Sequence, residues 1–548
     1  MGPVNWIAVV VAAIAAGGLA LVWFGPLFGR AKLRKVAPGR VMARVRPEKI
    51  AALSAILLLL TSTMLGHLFA RVGAIDWSAD LSAPGTGFSG SDDGTDLTYG
   101  VGAEYEFENT PFSLGAAYTR QTAKYGLPGH NHGFEGCHTH GNHLHCGSHG
   151  EDDGHDHGHE DEHGDVPVVD LRSERLDIRG ELRNPFAGFT ALRLRAAITD
   201  YLHDEVEDGI PVTTFQNKAH SARVELQHEP VAGWRGMLGV QASQRRFAAE
   251  GDEAYIQPTT TRRAGLFALE EYRWGDWRFE AALRHDRQTA AAETSGLERS
   301  HHGTSASLGA VWKFRPGYQL GASLTRASRA PTPEELYARG LHMATATYER
   351  GNAGLRAETS NNIDLSLRKT SGDTTFGVSV FRNRINGYIH GTTLDELDGL
   401  QLLQYAQQNA TFTGIEAQVR QRLNNHFGVT LFGDAVRARL QDGSLLPRIP
   451  PARAGLRLDA TWNAWQGQVE WLQVAHQSRV AAFEQPTPGY GMLNLGVSYS
   501  GQTNGTPWQV YLKGHNLTDR LAYAHTSFIK TAAPWMGRNV TVGVRVAF

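Results

Sequence analysis

The chain has 548 residues, with 53 basic against 55 acidic side chains, so its near-zero net charge gives no reason to expect a nucleic-acid partner. With 61 glycines and no strong apolar bias, the composition still leaves room for a membrane barrel, whose average hides its lipid-facing half. The two cysteines, Cys137 and Cys146, read as a local disulfide in an oxidising compartment or as metal ligands in a reducing one.

In chain order, Val4 to Phe28 contains no charged residue and is long enough to cross a bilayer as a helix. A second apolar run, Ile50 to Ile75, is interrupted only by His67 and Arg71. Between them lie Arg30, Lys32, Arg34, Lys35, Arg40, Arg44, Arg46 and Lys49 against a single Glu48. Positive charge in a short loop favours the cytoplasm, so residues 1–75 are expected to form an inner-membrane helical hairpin. A signal peptide fits less well, because no basic region precedes the first run. The opening NWIAVVVAAIAAGGLALVWFGPLFG also resembles the start of a family of small bacterial membrane proteins, which implies no chemistry. Residues 76–96 then read as a polar linker.

From Asp96 onward the period changes. In RNVTVGVRVAF (Arg538 to Phe548) Val540, Val542, Val544, Val546 and Phe548 share one face, the signature of a half-buried strand. The pattern recurs in Leu493 to Tyr499, Ser305 to Phe314 and Phe376 to Val380, and about nineteen such strands can be counted. Their connections alternate in length. Short turns fall at Asn184-Pro185, Glu229-Pro230, Gly275-Asp276, Arg315-Pro316-Gly317, Gly372-Asp373, Asn424-Asn425 and Asn463-Ala464. Longer loops lie between them, at 121–167, 249–258, 290–302, 330–357, 390–400, 479–488 and 518–536. A soluble sandwich has no reason to gather its long loops at one end, whereas an outer-membrane barrel puts short turns in the periplasm and long loops outside. The expected fold is therefore an all-β antiparallel transmembrane barrel over 97–548, in the Gram-negative outer membrane.

The loop at 121–167 holds His130, His132, His138, His140, His143, His145, His149, His155, His157, His159 and His163, with Asp156 and Glu160 among its acids. Imidazole suits Zn²⁺, Cu²⁺ and Ni²⁺, and four-coordinate zinc needs only three or four converging groups. Spacings such as His138-x-His140 and His155-x-His157-x-His159 allow many ligand sets, which points to a collector of metal rather than one rigid site. Neutral imidazole is required, so capture should weaken below about pH 6.5. In an exported protein Cys137 and Cys146 are expected to close a disulfide around this stretch. His301, His302 and His390 are lesser candidates near external strand ends, and His285, His476 and His515 read as wall residues. No nucleophile elbow or phosphate-binding glycine loop stands in a supporting context, so no enzyme activity is expected.

The C-terminal half carries a resemblance. YLKGHNLTDRLAY (Tyr511 to Tyr523) and APWMGRNVTVGVRVAF (Ala533 to Phe548) resemble the terminal signature of TonB-dependent outer-membrane receptors. Arg326 to Leu367 and Asn409 to Val419 resemble two further barrel segments of that family. YGLPGH (Tyr125 to His130) before the His-rich loop, and Gly340 to Thr345, are similar to the zinc-uptake receptors, which implies zinc as cargo and His342 as a further ligand. The resemblance implies energy from the TonB system and recognition of Phe548 by the barrel-insertion machinery, within membrane lipid. A haem or siderophore receptor of the same fold is an alternative, as is a passive metal-binding surface barrel. Family barrels have about twenty-two strands and a plug domain. No TonB box or plug is visible in the sequence, and nineteen strands would bring the two ends together parallel. A partial barrel joined to an unrelated hairpin, and impaired in transport, is the expectation.

Overall fold

The computed structural model describes residues 74–82, 95–106, 111–127, 134, 136–146 and 167–547. The expected helical hairpin lies outside them up to residue 73. Among the described residues no helix is long and apolar enough to cross a membrane, which says nothing of crossing by strands.

One 22-stranded sheet dominates, and two of its strands, Arg339–His342 and Thr347–Arg350, branch from it. The other twenty follow one another antiparallel and form the wall. Nineteen lie between Thr95 and Ala547, as the alternation predicts. The twentieth, Ala74–Ser82, corrects the reading of 76–96 as linker: it pairs antiparallel with Asn539–Ala547. Its alternation is matched to that of its partner, with Ile75 opposite Val546, Trp77 opposite Val544 and Leu81 opposite Val540. An even strand number removes the expected parallel meeting of the ends. Among the described residues, Ala74–Ser82 and Thr95–Glu106 do not pair with each other, so the sheet is not closed.

The long-loop end also departs from expectation. Residues 390–400 are not a loop: the strands Thr374–Leu397 and Leu400–Arg422 run on to a two-residue turn at Asp398-Gly399. The strands Phe189–Glu207 and Ile210–His228 do the same at Asp208-Gly209. Both turns have positive φ at both residues (50° and 92° at Asp398-Gly399, 49° and 78° at Asp208-Gly209), the geometry that asparagine or aspartate followed by glycine supplies. Strands of 19 to 24 residues exceed the roughly 9–11 needed to cross a bilayer, so they project beyond it.

Outward faces are apolar. Leu266 and Leu308 are both 62% exposed, an arrangement that water would penalise and lipid does not. At the short-turn end Trp234 stacks on Tyr272 at 5.1 Å, Trp277 on Trp312 at 5.2 Å, and Trp465 meets Tyr499 at 4.9 Å. These rings form an interfacial girdle. The opposite face is polar and charge-paired, as in Arg223–Glu225 and Arg284–Asp286, each at 2.6 Å.

Candidate functional site: the loop end of the barrel

The cysteines do close a disulfide, Cys137–Cys146. Inside it lies a small hairpin, His138–His140 against His143–His145, turning at Gly141 with φ +63°. His138 faces His145 and His140 faces His143. In antiparallel pairing opposed residues share a face, so all four imidazoles are on one side and all are exposed. Leu144 points the other way, 5% exposed, and packs with Phe134, Met343, Tyr348, Leu400 and Leu402. The half of the loop described here is therefore docked on the barrel by an apolar anchor.

Polar contacts fix its orientation. Asp395, on the projecting part of its strand, accepts from the Leu144 amide at 2.9 Å and lies 3.5 Å from His143 Nδ1. The Leu144 amide, helped by His143, holds the Asp395 carboxyl below its ordinary range. The Arg350 guanidinium donates to the Gly141 carbonyl and, at 3.4 Å, to Asn142 Oδ1. His138 Nε2 and His140 Nε2 stand 3.1 Å apart, and the His145 ring lies 5.2 Å from that of His140. Two nitrogens on one tetrahedral zinc, each about 2.0–2.1 Å from the metal, would be roughly 3.3 Å apart. The first pair is thus near ligand spacing. Among the described residues, however, no three His, Cys, Asp or Glu side chains already converge on one metal position. His130, His132, His149, His155, His157, His159, His163, Asp156 and Glu160 lie outside the described residues.

Beneath the hairpin the 330–357 connection is folded, not loose. A short helix, Pro333–Tyr337, starts at a capping box in which Thr332 and Glu335 bond reciprocally. The pair Arg339–His342 and Thr347–Arg350 follows, joined through Met343–Thr345 with Ala346 in the left-handed region. Thr347–Arg350 then lies parallel to the start of Leu400–Arg422. This arrangement places His342 at the mouth. Its ring stacks on Tyr255 at 4.2 Å, nearly coplanar, and its Nδ1 is 2.8 Å from Glu349 Oε1.

Two buried acids, Glu349 and Glu253, flank His342. Glu349 is 5% exposed and its other oxygen accepts from the Tyr405 hydroxyl at 2.9 Å. Glu253, also 5% exposed, accepts from the Met343 amide at 2.9 Å. Burial pushes the Glu253 carboxyl up to about 7, against the pull of that amide and of His342. Glu205 is 3% exposed, its Oε2 has no hydrogen-bond partner, and burial beside Glu253 and Glu207 pushes it up to about 8. Sequence reasoning missed these three carboxylates, and Asp395 and Arg350 with them. They come from four separate segments, and although Glu349 and Arg350 lie within the family-like stretch 326–367, only His342 was read as a ligand. Of the lesser candidates, His301 faces inward and bonds the Leu355 carbonyl at 3.0 Å, His302 faces outward, and His390 stacks on Tyr388.

A second charged knot joins the last three loops. Glu484 accepts from the Arg448 amide at 2.7 Å and the Ala481 amide at 3.0 Å. Lys530 Nζ lies 3.4 Å from it and His525 Nε2 3.2 Å. Although burial opposes it, these donors hold the Glu484 carboxyl down to about 2. Nearby, the Asn-Leu-Thr-Asp motif proves to be a loop staple. Asn516 Nδ2 donates to the Arg520 and Met536 carbonyls, and Asp519 accepts from the Arg538 amide at 3.0 Å.

A lipid-facing barrel wall with a charged interior and its long loops gathered at one end defines an outer-membrane receptor barrel. The chain belongs to the TonB dependent receptor-like β-barrel family, whose model matches residues 70–517. Proteins of this family are transporters, not enzymes. The copper transporter OprC superposes with a TM-score of 0.67 at 14% identity, covering 83% of this chain and 72% of that one. The FrpB iron transporter from Neisseria meningitidis (F3-3 variant) gives 0.64 at 13% identity, over 86% and 76%. These likenesses establish the fold. Among curated proteins, the hemoglobin-haptoglobin utilization protein B of Neisseria meningitidis serogroup C is 27% identical over 130 residues, 21% of this chain. That match spans 16% of the relative's length.

Proposed function

We propose that this barrel takes up a transition-metal ion, zinc first among candidates, through two stations at its extracellular end, with passage driven by the TonB system. The outer station is the imidazole face of the pinned hairpin, His138, His140, His143 and His145. The inner station is His342 with Glu349, Glu253 and Glu205. One observation carries the reading: carboxylates buried beside one another at the mouth, one of them with an unpartnered oxygen, are stabilised by a cation and destabilised without one. Exposed histidines rotate cheaply, so the outer face can close on a metal by side-chain movement alone. The zinc preference rests on the resemblance of the His342 motif and the His-rich loop. Copper and iron, named for the two superposed transporters, are the nearest rivals. Haem suits the mouth less well, because its propionates would face buried carboxylates.

The test is calorimetric titration of the full chain in detergent with Zn²⁺, Cu²⁺ and Mn²⁺. Replacing His138, His140 and His145 together by Ala should remove one class of zinc sites and leave another. His342→Ala should do the reverse. Zinc binding no tighter than manganese, or unaffected by either variant, sinks the reading.

A further inference from the structure

Just below the mouth, one rung of the inner wall is apolar but for a single imidazole. Across five adjoining strands Ala123 pairs with Leu171, Leu171 with His203, His203 with Phe215, and Phe215 with Ala249. Ile198 and Leu194, of the other parity on the His203 strand, are 56% and 40% exposed on the lipid side, which sets His203 toward the lumen. Phe215 and Ala249 belong to the buried cluster against which the 330–357 connection packs. His203 is the one polar side chain in this rung.

The rungs on either side carry polar groups. Two residues nearer the mouth, on the same strand and face, stands Glu205, paired with Thr213. Two residues deeper stands Tyr201, paired with Ser173 and Asn217. Successive side chains of one face lie ~6.6 Å apart along a strand, so His203 stands between the unpartnered acid of the mouth and a polar stretch of lumen. It is fourteen residues from Phe189, at the short-turn end. At ~3.3 Å per residue and a tilt of ~40° this is a rise of ~35 Å, above an apolar band ~25 Å tall.

The His203 ring is held in place while its far nitrogen is free. It lies on the Phe215 ring at 4.5 Å, with 19° between the planes, and its Nδ1 is 2.9 Å from the Tyr201 hydroxyl. When Nδ1–H donates to that oxygen, the Nε2 lone pair is open to a metal, the arrangement that metal-binding histidines use. Nε2 has no hydrogen bond to any described residue. An ion leaving Glu205 for the lumen along this wall meets a rung with no other side-chain nitrogen or oxygen. Bare apolar surface is a barrier to a charge, and a ligand in the middle of it lowers that barrier. An imidazole and a carboxylate at successive positions of one strand face can share a metal, with water completing its shell.

We propose that His203 is a transit ligand, which takes the metal ion from Glu205 across the apolar rung and passes it down into the lumen. The proposal rests on the acidic station at the mouth being a metal site, and extends it one step inward. Tyr201 is a positioning residue: its hydroxyl fixes the imidazole without touching the ion. Two protein ligands with water hold an ion less tightly than the cluster at the mouth, which suits a site that must let go.

The test is exchange of the imidazole C2 hydrogen, followed residue by residue by mass spectrometry on the full chain in mild detergent. Exchange runs through the imidazolium, so a metal on the ring nitrogen slows it. Saturating Zn²⁺ should slow His203 at least ~10-fold, at a higher zinc concentration than His342 requires. His301, which also faces inward but bonds the Leu355 carbonyl, should not respond. Glu205→Gln should abolish most of the slowing at His203 while His342 stays slow. Tyr201→Phe should raise the zinc needed at His203 by ~10-fold, and unchanged heat-modifiability on gels shows that each barrel is folded. Exchange at His203 that ignores zinc while His342 slows overturns the proposal and leaves the mouth station standing. No response at either residue overturns both. An equal response at His301, or full slowing at His203 in Glu205→Gln, overturns the transit site alone.

Discussion

Two knots of buried charge sit at the same end of this barrel, and their carboxyls are driven in opposite directions. Glu484 is surrounded by donors, two amides, Lys530 and His525, and is held down to about 2. Glu205 is desolvated beside Glu253 and Glu207 and is pushed up to about 8, and burial pushes Glu253 up to about 7 against the Met343 amide and His342. The first knot is rich in donors and acts as a clasp on three loops. The second is short of positive charge. Residue type alone would not have separated them; the count of donors around each carboxyl does.

The largest effect that would sharpen this contrast is expected from Glu484→Ala. Removing the shared acceptor leaves Lys530 and two amides buried without it, at a cost of about 3 kcal/mol. Thermal unfolding of the full chain in detergent should show the loss, with proteolysis appearing first in 475–489 and 516–538. For a carboxyl held below its ordinary 4.5, stability is present above that value and lost as pH falls toward 2. The wild type should therefore loosen at these loops on acidification, and the variant should lack that response.

Glu205→Gln should act with the opposite sign. A carboxyl raised from 4.5 to about 8 contributes stability that is present below 4.5 and lost as pH rises to about 8. Without metal, the wild type should lose stability across that window at up to about 1.4 kcal/mol per pH unit, and the amide should remove much of that slope. A metal-free variant less stable than wild type at pH 8 would break the comparison, because Glu205 would then be a partnered structural acid like Glu484.

Smaller effects belong to the hairpin. Asp395→Ala removes the acceptor of one amide, and its loss of order should be confined to this element. Hydrogen exchange at Leu144 should rise while the wall strands stay protected. Arg350→Ala should do the same more weakly, since its contacts at the turn are exposed.

Much of the architecture was written in local pattern. Period-two alternation gave nineteen wall strands, and the short turns at Asn184, Gly275 and Asn463 announced themselves by residues that tolerate positive φ. The strand Ala74–Ser82 escaped because its alternating Ile75, Trp77, Ala79 and Leu81 follow directly on a continuous apolar run that drowned the period. Asp398-Gly399 was a legible turn signal, passed over because a long loop was expected at 390–400, and Asp208-Gly209 was an equally legible signal that was not used. The histidines were visible by density, and their common face follows from their spacing once the two short strands are known to pair. The carboxylates of the proposed inner station were not legible. Glu205 and Glu253 stand in ordinary surroundings in the sequence, Glu349 lay inside the 326–367 stretch without being read as a ligand, and only the docking of the 252–258 and 330–357 connections brings Glu253 and Glu349 to His342 and Glu205 beside Glu253.

Proton release on metal binding tests the central claim most directly. At pH 7.5 the full chain in detergent, titrated with Zn²⁺ in two buffers of different ionisation enthalpy, should release protons as Glu205 and Glu253 yield theirs to the metal. The release should fall in Glu205→Gln and persist when His138, His140 and His145 are Ala. Zinc binding without proton release, or release that vanishes with the hairpin histidines and ignores Glu205, would contradict an acidic metal station at the mouth.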